Sequence, residues 1–206
     1  MGRGRHAGYD GQREMILARA AALFARGGYP GTSMNEVAQA CGLSKATLYH
    51  YHRDKYELLV SIAEEHVTRL QGVVDEALAE EATPAGQMRV LVRRLVEEYA
   101  SAQNEHRVLT EDVKFLDAAD RERILAKERE VVAAFARVVA ALRPDLQQAA
   151  MSKPLTMLLF GMVNWMFTWM KPDGALAYED MAPVVCDLFL GGLQSVQAPL
   201  RAATVD

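Results

Sequence analysis

The sequence lacks the residues and motifs that mark several classes of protein. Its 206 residues include only two cysteines, Cys41 and Cys186, too few and too far apart for a disulfide framework or a thiolate metal site. It contains no glycine-rich phosphate loop, no His-Glu-x-x-His sequence and no nucleophile elbow. We therefore expect a protein of a reducing compartment that is not an enzyme, and we assign it no catalytic residue, metal or cofactor.

Long hydrophobic runs are scarce as well. One uncharged segment, residues 154–170, is just long enough to suggest a membrane span, which usually needs about 17–25 residues. Pro154 begins this segment, Asn164 interrupts it, and acidic helical sequence lies on both sides. A helix that is apolar all round is typical of a core or a subunit interface. Because the chain also starts with basic and polar residues instead of a secretory signal, we expect a cytoplasmic protein with no membrane partner.

Strand signals are missing too. No sustained alternation of apolar and polar residues occurs, and no Asn-Gly or Asp-Gly pair separates two apolar runs. Apolar residues instead recur every three or four positions, as Leu59, Ala63 and Val67 do within residues 55–81. The sequence therefore predicts an all-α fold with about nine helices.

Positive charge is concentrated at the amino end of the chain. The whole sequence has 23 basic and 27 acidic residues; residues 1–56 contain eight of the basic and four of the acidic ones, a net charge of +4, which leaves −8 for the remainder. A basic end on an acidic body is typical of a module that meets a polyanion.

The strongest motif is in residues 33–52, SMNEVAQACGLSKATLYHYH. Ser33 and Glu36 have the spacing of a capping box, which predicts a helix beginning at Met34. Gly42 stands where a short turn needs a positive φ, and Ser44 can cap a second helix. The side chains expected to face inward are Val37, Cys41, Leu43, Leu48 and Tyr51.

The opposite side of the second helix is polar and compact. Its outward residues are Lys45, Ala46, Thr47, Tyr49 and His50. Hydrogen-bond donors on a narrow helix face are suited to the major groove of DNA. The pattern of cap, turn and polar face therefore predicts a helix-turn-helix that binds double-stranded DNA.

The run GLSKATLYHYHRDKYELL resembles the TetR/AcrR family of one-component repressors, and the resemblance covers residues 12–60. It implies a recognition helix that carries Lys45, Thr47, Tyr49 and His50, and helix starts at Thr32, Ser33 and Lys55 that abut DNA phosphates. The full predicted DNA-binding set is Thr32, Ser33, Ser44, Lys45, Ala46, Thr47, Tyr49, His50 and Lys55. His52 departs from the family pattern, which usually has phenylalanine there; the sequence leaves open whether it fills the core, loosens the module or adds a phosphate contact.

The resemblance also implies a division of the chain into two domains. We predict a DNA-binding domain over residues 1–55 and a helical effector-binding and dimerisation domain over residues 56–206. Within the first, residues 1–9 are expected to form a flexible basic arm, because Arg3, Arg5 and His6 precede the first predicted helix.

The last two long helices are implied to form a four-helix bundle with their counterparts in a homodimer. Residues 154–170 are too apolar to face water, and residues 184–196 carry an apolar stripe beside Gly191 and Gly192. The residues predicted at the dimer interface are Leu158, Met162, Trp165, Trp169, Val185, Leu188, Phe189, Gly192 and Val196. The sequence does not decide whether Trp165 and Trp169 line the interface or a ligand pocket.

The segment from Gly161 to Trp165, with Trp169 and Pro172-Asp173-Gly174, resembles a signature of TetR regulators that control catabolic operons through coenzyme A thioesters. This implies an acyl-CoA or aryl-CoA effector, with fatty acyl-CoA and phenylacetyl-CoA as candidates. The predicted ligand-binding residues are Met88, Leu91, Arg94, Leu95, Tyr99, Phe115, Phe135, Met157, Phe160 and Asn164.

Three alternatives stay open at this point. A related regulator of an efflux pump would sense a hydrophobic, drug-like compound instead. A nucleoid-type or activating DNA binder would need no effector cavity, and a peripheral membrane scaffold would use residues 154–170 and ignore DNA. The operator sequence and the regulated genes do not follow from the sequence.

Overall fold

The computed structural model describes residues 3–170 and 174–198, apart from the side chains of residues 3–8 and of Phe167. Within these ranges it has ten α-helices, one 3₁₀ helix and no strand, which confirms the predicted all-α fold. The α-helices are α1 (Arg3–Gly27), α2 (Met34–Ala40), α3 (Lys45–Tyr51), α4 (Lys55–Glu80), α5 (Pro84–Ser101), α6 (Gln103–Glu111), α7 (Ala118–Leu142), α8 (Pro144–Gln148), α9 (Ser152–Trp169) and α10 (Tyr178–Ser195). The 3₁₀ helix spans Val113–Phe115.

The amino end differs from the prediction. Helix α1 begins at Arg3, so residues 3–9 are the first turns of a helix and not an arm that precedes it. The residues of this segment are polar or small but contain no proline, and nothing in them stops the helical pattern from extending backwards. Residues 1–2 of the predicted arm lie outside the described residues.

The chain forms two compact units, and their division does not fall at residue 55. The first unit comprises Met1–Arg69 and Ala102–Lys127, and the second comprises Leu70–Ser101 and Glu128–Asp206. Helices α4 and α7 each run from one unit into the other. The first unit is larger than the predicted DNA-binding domain because α6 packs along α1.

The core of the first unit is built from one apolar stripe on each helix. The side chains of Ile16 and Phe24 in α1 are at most 1 % exposed. Val37 of α2 and Leu48 of α3 are completely buried. Burying each side chain of this size stabilises the fold by roughly 1.5–3 kcal/mol. The two short helices are therefore fixed by packing, because helices of seven residues are not stable alone.

In the second unit α10 packs on α5, and two neighbouring residues of α10 bond to two neighbouring residues of α5. The Cys186 Sγ lies 3.8 Å from the Met88 carbonyl oxygen, and Arg89 pairs with Asp187 at 2.8 Å. At the carboxyl end of α10 the Arg143 guanidinium donates to the carbonyls of Leu193, Gln194 and Val196, so it caps a helix end that would otherwise leave acceptors unpaired.

The apolar segment 154–170 lies almost wholly in α9. None of the helices in the described ranges combines the length and hydropathy needed to cross a membrane. Leu155, Leu159 and Val163 of α9 are buried, whereas Leu158 and Trp165 are each 66 % exposed. The helix thus has a buried apolar face and an exposed apolar face.

Candidate nucleic-acid interface

The turn between α2 and α3 has the geometry that its sequence predicts. The Ser33 Oγ accepts from the Glu36 amide at 3.3 Å, and the Glu36 carboxylate accepts from the Ser33 amide at 2.7 Å, which completes the capping box. The Ser33 hydroxyl, which donates to this carboxylate at 2.8 Å, and the Ser33 amide both lower the pKa of the Glu36 carboxyl. Gly42 has a φ of +67°, the left-handed conformation expected at the turn. The Ser44 Oγ accepts from the Thr47 amide at 3.1 Å and caps α3.

Helix α3 presents a polar face on this rigid turn. Leu48 is completely buried, whereas Tyr49 on the adjacent side is 41 % exposed. Lys45, Ala46, Thr47 and His50 are also exposed, as predicted. The Lys45 ammonium lies 5.8 Å from the centroid of the Tyr49 ring, so a cation and an aromatic hydroxyl project together from the amino-terminal turns of the helix.

Two residues predicted to contact phosphate are used within the fold instead. Thr32 is 6 % exposed, and its hydroxyl donates to the Gly28 carbonyl at 3.1 Å. The Lys55 ammonium donates to the carbonyls of Tyr29 at 2.8 Å, Pro30 at 3.3 Å and Thr32 at 2.8 Å, which uses all three of its hydrogens. Both side chains are used in this way for the same reason: the carbonyls of the α1–α2 loop, residues 28–33, need hydrogen-bond donors. Their contacts with phosphate stay a prediction. Ser33 and Ser44 remain exposed.

His52 fills the core and has no phosphate role. It is 1 % exposed, and neither ring nitrogen has a hydrogen-bond partner among the described residues. Burial lowers the pKa of its imidazole, as does the nearby Arg13, while Glu57 and Glu65 oppose the shift. The ring is therefore neutral near pH 7, and its unpaired nitrogens cost stability.

We expect His52→Phe to stabilise the protein by about 1 kcal/mol at pH 7, because phenylalanine has no buried polar atoms. The gain should grow as the pH falls from 7 to 5, since the unfolded chain binds a proton near pH 6.5 that the folded imidazole resists. His66 and His106 are also buried and have lowered pKa values. Both are present in the two proteins, so their contributions to the pH dependence cancel in the stability difference. Thermal melts of the two proteins across this pH range measure the difference; a gap that shrinks at low pH contradicts the assignment.

The predicted ligand-binding residues fall into two groups. Six are buried in the second unit: Met88, Leu91, Leu95, Tyr99, Phe135 and Phe160. The rings of Phe135 and Phe160 meet at 5.0 Å in an edge-to-face contact. Asn164 is half-buried, and its side-chain oxygen has no hydrogen-bond partner among the described residues. These residues stay candidates for the effector site.

The other three predicted ligand residues lie elsewhere. Phe115 is 39 % exposed in the first unit, where it contacts Tyr29. Met157 is 51 % exposed on α9. The Arg94 guanidinium donates to Glu80 and Glu76 of α4, so its charge is already neutralised. Sequence spacing could not exclude Phe115 and Met157, because apolar residues of cores, surfaces and pockets are of the same types.

The exposed apolar face of α9 and α10 includes most of the predicted dimer interface. Leu158, Trp165, Trp169 and Leu188 are each more than half exposed. Gly192 is exposed, and Met162 and Val196 are half-buried. Trp165 and Trp169 therefore do not point into the interior of the second unit. An exposed apolar surface of this kind is typical of a protein-protein interface.

Two residues of the predicted interface stripe are instead core residues. Val185 is 4 % and Phe189 is 7 % exposed, and with Leu193 they form the side of α10 that packs within the second unit. The outward side is offset by one residue and carries Val184, at 45 % exposure, and Leu188, at 64 %. Both sides of α10 are apolar, so periodicity alone could not decide which one faces α5.

Comparison with known proteins identifies this architecture. Residues 16–62 match the family described as bacterial regulatory proteins, tetR family, and residues 81–193 match the tetracyclin repressor-like C-terminal domain. The chain belongs to the TetR family. Its helix-turn-helix is the TetR DNA-binding motif, which confirms the resemblance found in the sequence, and members of this family are regulators of transcription and not enzymes.

Individual TetR relatives match most of the chain. A TetR-family regulator from Bordetella parapertussis is 34 % identical, covers 91 % of this chain and 98 % of its own, and superposes with a TM-score of 0.83. AibR, solved with isovaleryl coenzyme A and operator DNA, is 26 % identical over 86 % of this chain and 97 % of its own, with a TM-score of 0.74. The repressor KstR of Mycobacterium tuberculosis is 26 % identical over 75 % of this chain and 71 % of its own.

Proposed function

We propose that this TetR-family protein is a repressor that binds a palindromic operator as a homodimer and is released by a small-molecule effector. The observation that carries the proposal is the exposed face of α3, where Lys45, Thr47, Tyr49 and His50 stand on a capped turn above the buried Leu48. Donors held on a rigid helix discriminate base pairs because their positions are fixed before binding.

The homodimer is supported by the exposed face of α9 and α10. Trp165 and Leu188 are both more than half exposed. If a second copy of the chain covered this face, most of the surface of each side chain would become buried, which would stabilise the dimer. A two-fold axis through such an interface would present two α3 helices to successive major grooves, about 34–36 Å apart. A palindromic operator follows from that symmetry.

A coenzyme A thioester is the effector class that we favour. The segment around Gly161 and Trp165 resembles the signature of thioester-responsive regulators, although residues 171–173 of that signature lie outside the described residues. AibR, which matches along nearly its whole length, was solved with isovaleryl coenzyme A. The buried apolar residues around Phe135 and Phe160 suit an acyl or aryl group, and Asn164 offers an unpaired oxygen beside them. A drug-like compound, as for an efflux regulator, is the alternative.

Effector release is proposed to act through α4. This helix begins directly after α3 and continues without a break into the second unit. A change at its distal half would therefore move its first turn, where Lys55 holds the α1–α2 loop. To change the dimer from mostly bound to mostly released, the effector must favour the released state by several kcal/mol, on the order of 5.

Lys45→Ala and Tyr49→Ala should each weaken binding to a duplex selected by the wild-type protein about 10-fold or more, because each removes a donor from the groove-facing side. Dimer mass and thermal stability should not change. Arg121→Ala is the matched control, since it removes one exposed positive charge from α7 in the same unit. Fluorescence anisotropy at several salt concentrations measures the affinities; wild-type affinity for both variants would refute the recognition-face assignment.

The effector class is tested by thermal shift with isovaleryl-CoA and phenylacetyl-CoA, with the free acids and coenzyme A as controls. A thioester that binds should raise the melting temperature as its concentration increases, because binding stabilises the folded state by RT ln(1 + [L]/Kd). The same thioester should lower the affinity of the protein for the operator. Stabilisation by hydrophobic drug-like compounds alone would favour the efflux-regulator alternative.

A further inference from the structure

Residues 112–120, which comprise the connection from α6 to α7 and the first turn of α7, contact two tyrosines that flank the helix-turn-helix. We call them the coupling segment. Tyr29 lies in the α1–α2 loop and Tyr56 in the first turn of α4, and both belong to the first unit with the coupling segment itself. Neither tyrosine is part of the exposed face of α3, so any effect they have on DNA binding must act through position.

The first contact is at Tyr29. Its ring lies 5.5 Å from the ring of Phe115 and 4.5 Å below the Lys55 ammonium. Asp112 is buried beside it; burial raises the pKa of this carboxyl, and a hydrogen bond to the Tyr29 backbone opposes the rise. The loop that leads into α2 is therefore held from one side by the coupling segment and from the other by α4.

The second contact is at Tyr56. Its hydroxyl donates to the Asp120 carboxylate at 2.9 Å and accepts from the Asp117 amide at 3.0 Å. Burial, the main cause, raises the pKa of the phenol to about 12, so the hydroxyl keeps the proton that it donates. A hydroxyl that donates and accepts in this way has a fixed direction, and it connects the start of α4 to the start of α7.

An ion-pair network extends this connection along both helices. The Arg123 guanidinium pairs with Asp120 and, at 3.1 Å, with Glu64 of α4. Lys127 donates to the same Glu64 at 3.2 Å and to Thr68 at 2.9 Å. The first turns of α7 are thus bonded to α4 at Tyr56, Glu64 and Thr68, over more than three helical turns.

We propose that the coupling segment orients α2 and α3 through Tyr29 and Tyr56, so that DNA affinity depends on these contacts as well as on α4 itself. The proposal rests on the proposed function.

The test is a double-mutant cycle on operator affinity with Tyr56→Phe and Phe115→Leu in the full chain. Each single variant should weaken binding to the selected duplex about 3- to 10-fold with the dimer intact. The loss of operator affinity in the double variant should be smaller, by about 3-fold or more, than the product of the losses in the two single variants. This is expected because both substitutions loosen the same structural element. Tyr178→Phe is the matched control, since the Tyr178 hydroxyl has no hydrogen-bond partner among the described residues.

Amide hydrogen exchange provides a second measurement. If Tyr56 only stabilised the fold as a whole, its substitution would not change exchange specifically in the α1–α2 loop and the start of α2. Tyr56→Phe should speed exchange of the amides of residues 28–36, and Tyr178→Phe should leave them unchanged. If Tyr56→Phe does not fold, Asp120→Ala takes its place in the cycle.

Two results would overturn the coupling proposal and leave the proposed function intact. One is a double variant whose loss of operator affinity equals the product of the single losses, and the other is wild-type affinity for both single variants. Failure of the wild-type protein to select any duplex would overturn the proposed function and the coupling with it.

Discussion

Trp165→Glu is expected to convert the protein from a dimer to a monomer and to weaken operator binding by about 100-fold or more, as for the loss of a central interface aromatic. Trp165 is 66 % exposed on α9, so the substitution leaves the core of the second unit unchanged. In a dimer, however, the carboxylate would be buried without a partner, at a cost of several kcal/mol. A monomer binds only one half-site, which explains the large effect on DNA.

Leu188→Glu, on the exposed side of α10, should behave in the same way. Ala133→Glu is the matched control, because it adds the same charge to an exposed position of α7. Sedimentation equilibrium gives the mass, and circular dichroism shows that each variant is folded. Dimers of both interface variants with wild-type operator affinity would show that the apolar face of α9 and α10 has another purpose.

Lys55→Met should lower the free energy of unfolding by about 1–3 kcal/mol, because hydrogen bonds from a charged group are among the strong ones and their loss removes a donor from three carbonyls, two of them in partly buried hydrogen bonds. The ammonium donates to three carbonyls of the α1–α2 loop, and the ring of Tyr29 lies 4.5 Å away. Methionine keeps most of the apolar stem, so the change isolates the charge and the hydrogen bonds.

The same substitution separates this structural role from the phosphate contact implied by the sequence resemblance. A phosphate-binding lysine could be replaced with little change in stability. Its loss would reduce the slope of log affinity against log salt concentration by about one. Urea denaturation of Lys55→Met is therefore compared with that of Lys153→Met, which replaces an exposed lysine of α9. Equal stabilities combined with a reduced salt slope would restore the phosphate assignment.

The parts of the fold that the sequence predicted correctly depend on local signals. The Ser33–Glu36 capping box, the positive φ of Gly42 and the Ser44 cap each depend on residues within a few positions, so they can be identified without knowing the rest of the fold. The exposed face of α3 follows from these once Leu48 is placed inside.

The errors arise where a distant element decides the outcome. The place of Lys55 at a helix start favours a phosphate contact, but carbonyls 23–26 residues earlier in the chain accept its hydrogens. Phe115 was assigned to the effector site, and it contacts Tyr29 because α6 packs along α1. The apolar sides of α10 differ only in what packs against them, so the pattern does not separate the buried Val185 and Phe189 from the exposed Leu188 and Gly192. Tyr56 has no sequence signal for its bond to Asp120, 64 positions away.

In the proposed dimer each subunit inserts its α3 into one half-site of the operator. Selection from a library of random duplexes with the full-length protein tests it most directly. We expect the selection to enrich a palindromic sequence whose half-sites are centred about one helical turn apart. Its affinity should fall steeply as the salt concentration is raised. Enrichment of a single unrepeated site, or of no sequence at all, would contradict it.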